Sequence, residues 1–293
     1  MSAHVWSEIN SQPSSWRTAA EELEGASGRL PRDGERIAVV GCGTSWFIAM
    51  AYASLRETAG LGETDAFAGS EVPAGREYDR VVAISRSGTT TEIIDLLRAA
   101  STPTTLITAV DGSPAAEFAT DTIVLGFADE ESVVQTRYAT TVLALLRGSL
   151  GANLEDLAVD AQKALEAPLD AYLDADQITF LGRGWTIGLA HEAALKCREA
   201  AQLWTESYPA MDYRHGPISI AQPGRLVWAF GEVPAGLAND VASTGATFVH
   251  LSDIDPLAQL IVAQRVAAAI SERKGFNPDK PRNLTRSVIL DDE

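Results

Sequence analysis

Glu192, Lys196 and Glu199 stand four and three residues apart in "HEAALKCREAA", so on a helix all three leave one face. Two carboxylates beside an ammonium suit general acid–base work, in which a positioned carboxylate moves a proton and contributes ~10²–10⁴-fold. The spacing alone favours a solvated Glu–Lys pair worth ~0.2–0.5 kcal/mol. A second group is rich in hydroxyls. In "SRSGTTT", Ser85, Ser87, Thr89, Thr90 and Thr91 surround Gly88 with Arg86 as a cation, and Thr44 and Ser45 form a further pair in "GCGTS". Short donors at a helix start, where unpaired N–H groups and a partial positive charge meet an anion, make a pocket for a monophosphate. Ser and Thr also cap helices without any ligand. Two clusters at two strand ends favour the phosphate pocket.

The elements that must hold these groups are legible from the apolar pattern. Short β-branched runs at 36–41, 79–85, 104–110 and 122–126 alternate with helical stretches, and "EIIDLLRAA" follows the hydroxyl-rich turn directly. Alternation of this kind predicts βαβ units and a parallel sheet, with ligands outside the carboxyl ends of its strands. The pattern restarts after "GANLEDL", with strands at 177–184, 224–231 and 247–252 and helices at 186–206 and 256–273. There is also an internal echo: "AVVGCGTSW" and "TFLGRGWTI" each give a strand, a G-x-G turn and a helix, with Gly41/Gly182 and Gly43/Gly184 both 141 positions apart. Restart and echo predict two α/β halves, residues 1–150 with the phosphate loops and 151–293 with the acid–base helix.

Several chemistries are excluded by the same residues. A dinucleotide fingerprint needs a third glycine where Trp46 and Ile187 stand, and no G-x-x-x-x-G-K-[ST] loop is present. His4, His191, His215 and His250 make no local ligand cluster, and Leu195 replaces the second histidine of a zinc-protease helix, so no metal and no cofactor are expected. Cys42 and Cys197 are read as reduced thiols. A net charge of −17 argues against nucleic acid. No apolar run reaches the ~20 residues of a membrane span, and the opening lacks a signal-peptide pattern, so a cytoplasmic protein without a membrane partner is expected.

The ordered set "CGTS", "SRSGTT", "LGRG", "HEAALKCREAA", "RHGP" and "DKPRNLTRSV" resembles the sugar isomerase (SIS) family, and most closely the isomerase half of glucosamine-6-phosphate synthases. The resemblance covers essentially the whole chain. It implies two doubly wound (flavodoxin-like) α/β subdomains, each a parallel sheet flanked by helices, and a small-molecule sugar phosphate as substrate. On matching positions it implies that Thr44, Ser45, Ser85, Ser87 and Thr90 hold the phosphate, with Arg86 contributing from the same loop, and that Val133 and Gln135 line the sugar. It further implies that Glu199 moves a proton between C1 and C2 of the open-chain sugar with Glu192 and Lys196 beside it. His215 is implied to help open the ring from a neighbouring subunit, which makes a homodimer with shared sites the expected assembly.

Two departures bear on the reaction. Residue 2 is serine, not the catalytic cysteine of a glutaminase, and the SIS pattern starts almost at once, so glutamine-dependent amination is not expected. Arg286 stands where the synthase has an imine-forming lysine, and a guanidinium is a poor nucleophile for that step. The leading expectation is therefore an isomerase or deaminase acting on glucosamine 6-phosphate or fructose 6-phosphate. A lyase that removes the C3 hydroxyl of N-acetylglucosamine 6-phosphate is the alternative enzyme. A non-catalytic sugar-phosphate sensor is the alternative of another class; it needs the phosphate loops but neither Glu199 nor His215.

Overall fold

The computed structural model describes residues 3–290; Met1, Ser2 and 291–293 lie outside the described residues. Helices α1 (Ala3–Asn10) and α2 (Gln12–Ser27) open the chain. They are followed by β1 (Ile37–Gly41), α3 (Thr44–Thr58), β2 (Thr64–Ala68), β3 (Arg80–Ile84), α4 (Thr91–Ala99), β4 (Thr104–Thr108), β5 (Asp121–Val124) and α5 (Arg137–Ser149). The rest comprises α6 (Leu154–Glu166), β6 (Gln177–Gly182), α7 (Thr186–Ala201), β7 (Trp204–Pro209), β8 (Arg225–Phe230), α8 (Leu237–Ser243), β9 (Thr247–His250) and α9 (Pro256–Arg273).

The chain divides into two compact units, each assembled from separate segments. One comprises Ser14–Glu130, Arg137–Glu155 and Thr285–Glu293, and the other Met1–Pro13, Glu131–Thr136 and Asp156–Leu284. The first holds a five-stranded parallel sheet in the order β2-β1-β3-β4-β5. Strands buried on both faces need unbroken apolar runs, and "IAVVG" and "RVVAI" supply them, buried at every position. Ile93 and Leu97, one turn apart on α4, pack on Val81, Ala83 and Leu106 of this sheet. The second unit holds a four-stranded parallel sheet, β7-β6-β8-β9, with α7 lying on β6 and β7 and packed against α9. Asp255 caps α9 by accepting the Leu257 N–H at 2.8 Å, with Pro256 at the first helical position.

The internal echo is a repeat of backbone geometry. Gly43 and Gly184 have φ of 54° and 56°, left-handed values that favour glycine. A Cβ on Gly41 would lie 2.4 Å from the carbonyl carbon of Ser45, and one on Gly182 would lie 2.2 Å from the carbonyl oxygen of Thr186. Each helix therefore starts against the last residue of its strand. Gly41→Ala is expected to cost at least ~1–3 kcal/mol, the usual penalty of overpacking, read as a lower midpoint in chemical denaturation.

One expected element ends early. The helix predicted over 186–206 stops at Ala201, where Gln202 turns left-handed (φ 49°), and 204–209 form β7 instead. The aromatic and hydroxyl side chains of "WTESYP" favour an extended edge strand, paired with β6 along its length. Glu192, Lys196 and Glu199 all remain inside the helix.

Candidate active site

The phosphate-type turns meet in the first unit. Gly41 is registered against Ile84, so the loops leaving β1 and β3 stand side by side at the carboxyl ends of the sheet. The order 2-1-3-4-5 places them at the strand pair where the chain reverses direction across the sheet, the usual ligand crevice of such folds. Thr44 and Ser45 begin α3, and Thr90 is the residue before α4, so two helix N-termini open here. Among the described residues, the Ser45 and Thr90 hydroxyls have no side-chain hydrogen bond. Ser85 Oγ accepts the Gly88 N–H and Ser87 Oγ accepts the Thr89 N–H, both at 3.2 Å. A hydroxyl that accepts such a bond keeps its own proton to donate, which suits a phosphate oxygen. Gly88 has φ 61°, and a Cβ there would meet Ser113 Oγ at 2.1 Å, so no other residue fits the turn unchanged.

The matching place in the second unit is closed. Thr186, the counterpart of Ser45, donates to the carbonyls of Arg183 at 3.0 Å and Phe230 at 2.9 Å and accepts the Arg183 N–H at 2.8 Å. Its hydroxyl is spent on the protein. The repeat thus keeps the backbone and loses the ligand-facing hydroxyl.

Arg86 is directed into the protein. Its side chain lies in a residue only 2% exposed, donates from Nη2 to the Arg286 carbonyl at 3.1 Å and faces a Glu130 carboxylate oxygen at 3.9 Å. Glu130 accepts the N–H groups of Arg137 at 2.7 Å and Tyr138 at 3.2 Å, the first two residues of α5. Arg286 in turn donates to the Glu130 carbonyl and, at 2.5 Å, to Asp129 Oδ1. The tail continues across α4: Thr89 Oγ1 is 2.9 Å from Ser287 Oγ, the Val288 carbonyl accepts the Thr91 N–H at 3.3 Å, and Thr91 Oγ1 accepts the Leu290 N–H at 2.9 Å. Thr89, Thr91 and Arg86 thus bond the tail, whereas the Ser85 and Ser87 hydroxyls bond within the turn. Glu130 was not singled out in the sequence, since its partners are distant and nothing periodic marks it.

In the second unit α7 carries the ionisable set. Lys196 is buried, with Nζ 2.5 Å from Glu199 Oε2 and 3.5 Å from Glu192 Oε1. Glu192 has no exposure, whereas the Glu199 side chain keeps 19%, so Glu199 is the carboxylate of this set that reaches a surface. The single ammonium between the two carboxylates bonds Glu199 more closely and fixes its orientation. His191, the neighbour of Glu192, ties the helix to β7 through Nδ1 and Ser207 Oγ at 2.8 Å. Burial, with Arg198 as a smaller cause, holds this imidazole below its ordinary value of 6.5. The folded state therefore binds fewer protons than the unfolded one as the pH falls below 6.5. Its contribution to stability is complete above that pH and is lost as pH falls through the lower folded value. Denaturation midpoints at pH 5 and pH 8 are expected to differ less in His191→Gln than in the wild type.

His215 ends a 3₁₀ turn, Asp212–His215, and is exposed. Val133 and Gln135 lie in the segment Glu131–Thr136 of the second unit, where the Val133 N–H donates to the Asp279 carbonyl at 3.2 Å and Gln135 is half-buried. Cys197 is buried with its thiol pushed up to about 12 by burial, and burial also raises the Cys42 thiol. A cavity of about 650 Å³ lined by Arg36, Arg76, Tyr78 and Leu96 lies at the amino ends of β1 and β3, away from the hydroxyl turns. Among the described residues, no cluster of histidine, cysteine or carboxylate could hold a metal ion, and no helix is long and apolar enough to cross a membrane.

The chain, with two parallel α/β sheets and with helix starts and hydroxyl turns at the β1–β3 reversal, shares its fold with solved structures of phosphosugar enzymes. It is 30% identical over 337 aligned positions to the glutamine–fructose-6-phosphate aminotransferase (isomerizing) of Methanothermobacter thermautotrophicus, with 97% of this chain and 57% of that relative covered. The chain thus spans little more than half the length of that curated relative. Among solved structures it resembles a glucosamine-6-phosphate deaminase from Thermotoga maritima, with TM-score 0.83, 25% identity and coverage of 98% and 99% of the two chains. The C-terminal domain of the glucosamine-fructose-6-phosphate aminotransferase of Francisella tularensis shares the fold, with TM-score 0.78, 20% identity and coverage of 95% and 98%. No protein-family model matches the chain.

Proposed function

We propose that the chain is an enzyme that binds the open-chain form of an amino-sugar 6-phosphate and moves a proton between C2 and C1. The end-to-end likeness to a glucosamine-6-phosphate deaminase carries this reading. Ser45, Ser85, Ser87, Thr90 and Thr44 receive the phosphate oxygens, and Glu199 is the base, with Lys196 and Glu192 setting its orientation. With a free amine at C2, proton transfer to C1 leaves an imine at C2; water adds to it and ammonia departs, giving fructose 6-phosphate. None of these steps calls for an imine to the protein, which agrees with Arg286 being engaged by Asp129 and the Glu130 carbonyl.

The same Arg286 engagement favours, as a second reading, elimination of the C3 hydroxyl from N-acetylglucosamine 6-phosphate, where acetylation blocks the loss of nitrogen. His215 is proposed to open the sugar ring at the site of a second copy, in a cytoplasmic homodimer; its exposure accords with that role. Val133 and Gln135 are proposed to contact the sugar. The anchor is tested by Ser85→Ala/Ser87→Ala, expected to weaken the binding of a sugar phosphate at least tenfold while the unphosphorylated sugar is unaffected. Equal affinity for the phosphate ester in the double variant and the wild type would remove the anchor.

A further inference from the structure

We propose that Glu130 is a positioning residue that sets the charge of the phosphate turn through Arg86, an inference that rests on the turn binding phosphate. Arg86 is the one basic residue in the turn 85–90, yet it is buried and turned toward Glu130 Oε2 at 3.9 Å and the Arg286 carbonyl at 3.1 Å. Glu130 is itself fully buried, and it is fixed by accepting the Arg137 and Tyr138 N–H groups at 2.7 and 3.2 Å. Beside this pair, Arg286 donates to Asp129 Oδ1 at 2.5 Å, and Arg137 donates to the Asp129 carbonyl.

The consequence concerns how an anion is held. A cation beside the turn raises its affinity for a dianion and makes it salt-dependent; a carboxylate buried against that cation cancels most of the field. Hydroxyls and N–H groups then do the holding. Such a site releases product more readily than one with an uncancelled guanidinium, and its affinity depends little on ionic strength. Glu130 acts here without touching the ligand, by keeping Arg86 against the protein and by joining three segments: the β3 turn, the start of α5 and the tail at Arg286.

The test is binding of inorganic phosphate by the full chain, measured calorimetrically at low and high salt in four forms: wild type, Glu130→Gln, Arg86→Gln and the double variant. Glu130→Gln is expected to bind phosphate about tenfold more tightly at low salt, with a steeper loss on adding salt. Arg86→Gln, which leaves an uncancelled carboxylate, is expected to bind about tenfold more weakly. The double variant, again balanced, is expected to return to within about twofold of the wild type. Unchanged or weaker binding in a folded Glu130→Gln, with a flat salt response, overturns the proposal. If Glu130→Gln does not fold, the other two forms decide: failure of the double variant to recover the affinity lost in Arg86→Gln means that Arg86 contacts the anion directly. Absence of phosphate binding by the wild type refutes the reading of the turn itself, an outcome distinct from equal binding by all four forms, which refutes the role of Glu130 alone.

Discussion

Glu199→Gln is expected to lower the turnover of the sugar phosphate by about 10²–10⁴-fold and to leave its affinity within about twofold. The glutamine keeps the size of the side chain and an oxygen that can accept the bond now donated by Lys196 at 2.5 Å. What it loses is the ability to take a proton from carbon. The proposed phosphate anchor lies in the other compact unit, so phosphate affinity serves as an internal control for folding. The check is a steady-state assay beside direct binding measurements; activity within a few-fold of the wild type would remove Glu199 from the base role.

Lys196→Met is expected to lower stability by about 3–5 kcal/mol. Exposed i,i+4 pairs are worth only ~0.2–0.5 kcal/mol, but this ammonium is 1% exposed and faces Glu192, which is 0% exposed. Removing the cation takes the countercharge from a buried carboxylate. Met fills nearly the same volume, so little of the loss comes from a cavity. Adding Glu192→Gln to Lys196→Met is expected to recover at least half of the loss, because the stranded charge is gone, and chemical denaturation of the three variants measures the coupling. A loss below ~1 kcal/mol in the single variant would mean that the set behaves as a surface pair.

Much of the positioning framework was readable because it is local. "IAVVG" and the "VVAI" of β3 are apolar runs, and the structure buries them at every residue. The glycines at 41, 43, 88, 182 and 184 mark turns for which the structure gives a physical reason: either a left-handed φ or no room for a Cβ. Edge strands were harder. β2, "TDAFA", is mostly half-buried, and β7 follows a helix after a two-residue break, so neither presents an uninterrupted apolar run.

The role of Arg86 was not readable at all. Its partners lie 44 and 200 positions away, at Glu130 and Arg286, and no pattern in the turn distinguishes a cation that meets a ligand from one that holds the tail. The same limit applies to Thr89 and Thr91, whose hydroxyls look identical in sequence to those of Ser85 and Thr90 yet bond Ser287 and the Leu290 N–H. Likewise the spacing of Glu192, Lys196 and Glu199 announces one helical face, but only packing against α9 and the sheet makes that face buried.

The most direct test of the account follows deuterium by NMR while the protein is incubated in heavy water with glucosamine 6-phosphate, fructose 6-phosphate and N-acetylglucosamine 6-phosphate, with ammonia, ketose and dehydrated product assayed in parallel. Deuterium is expected to enter at C1 of the ketose formed from glucosamine 6-phosphate, with stoichiometric ammonia, and both signals are expected to form about 10²–10⁴-fold more slowly in Glu199→Gln. No deuterium uptake and no product from any of the three sugars would contradict this account.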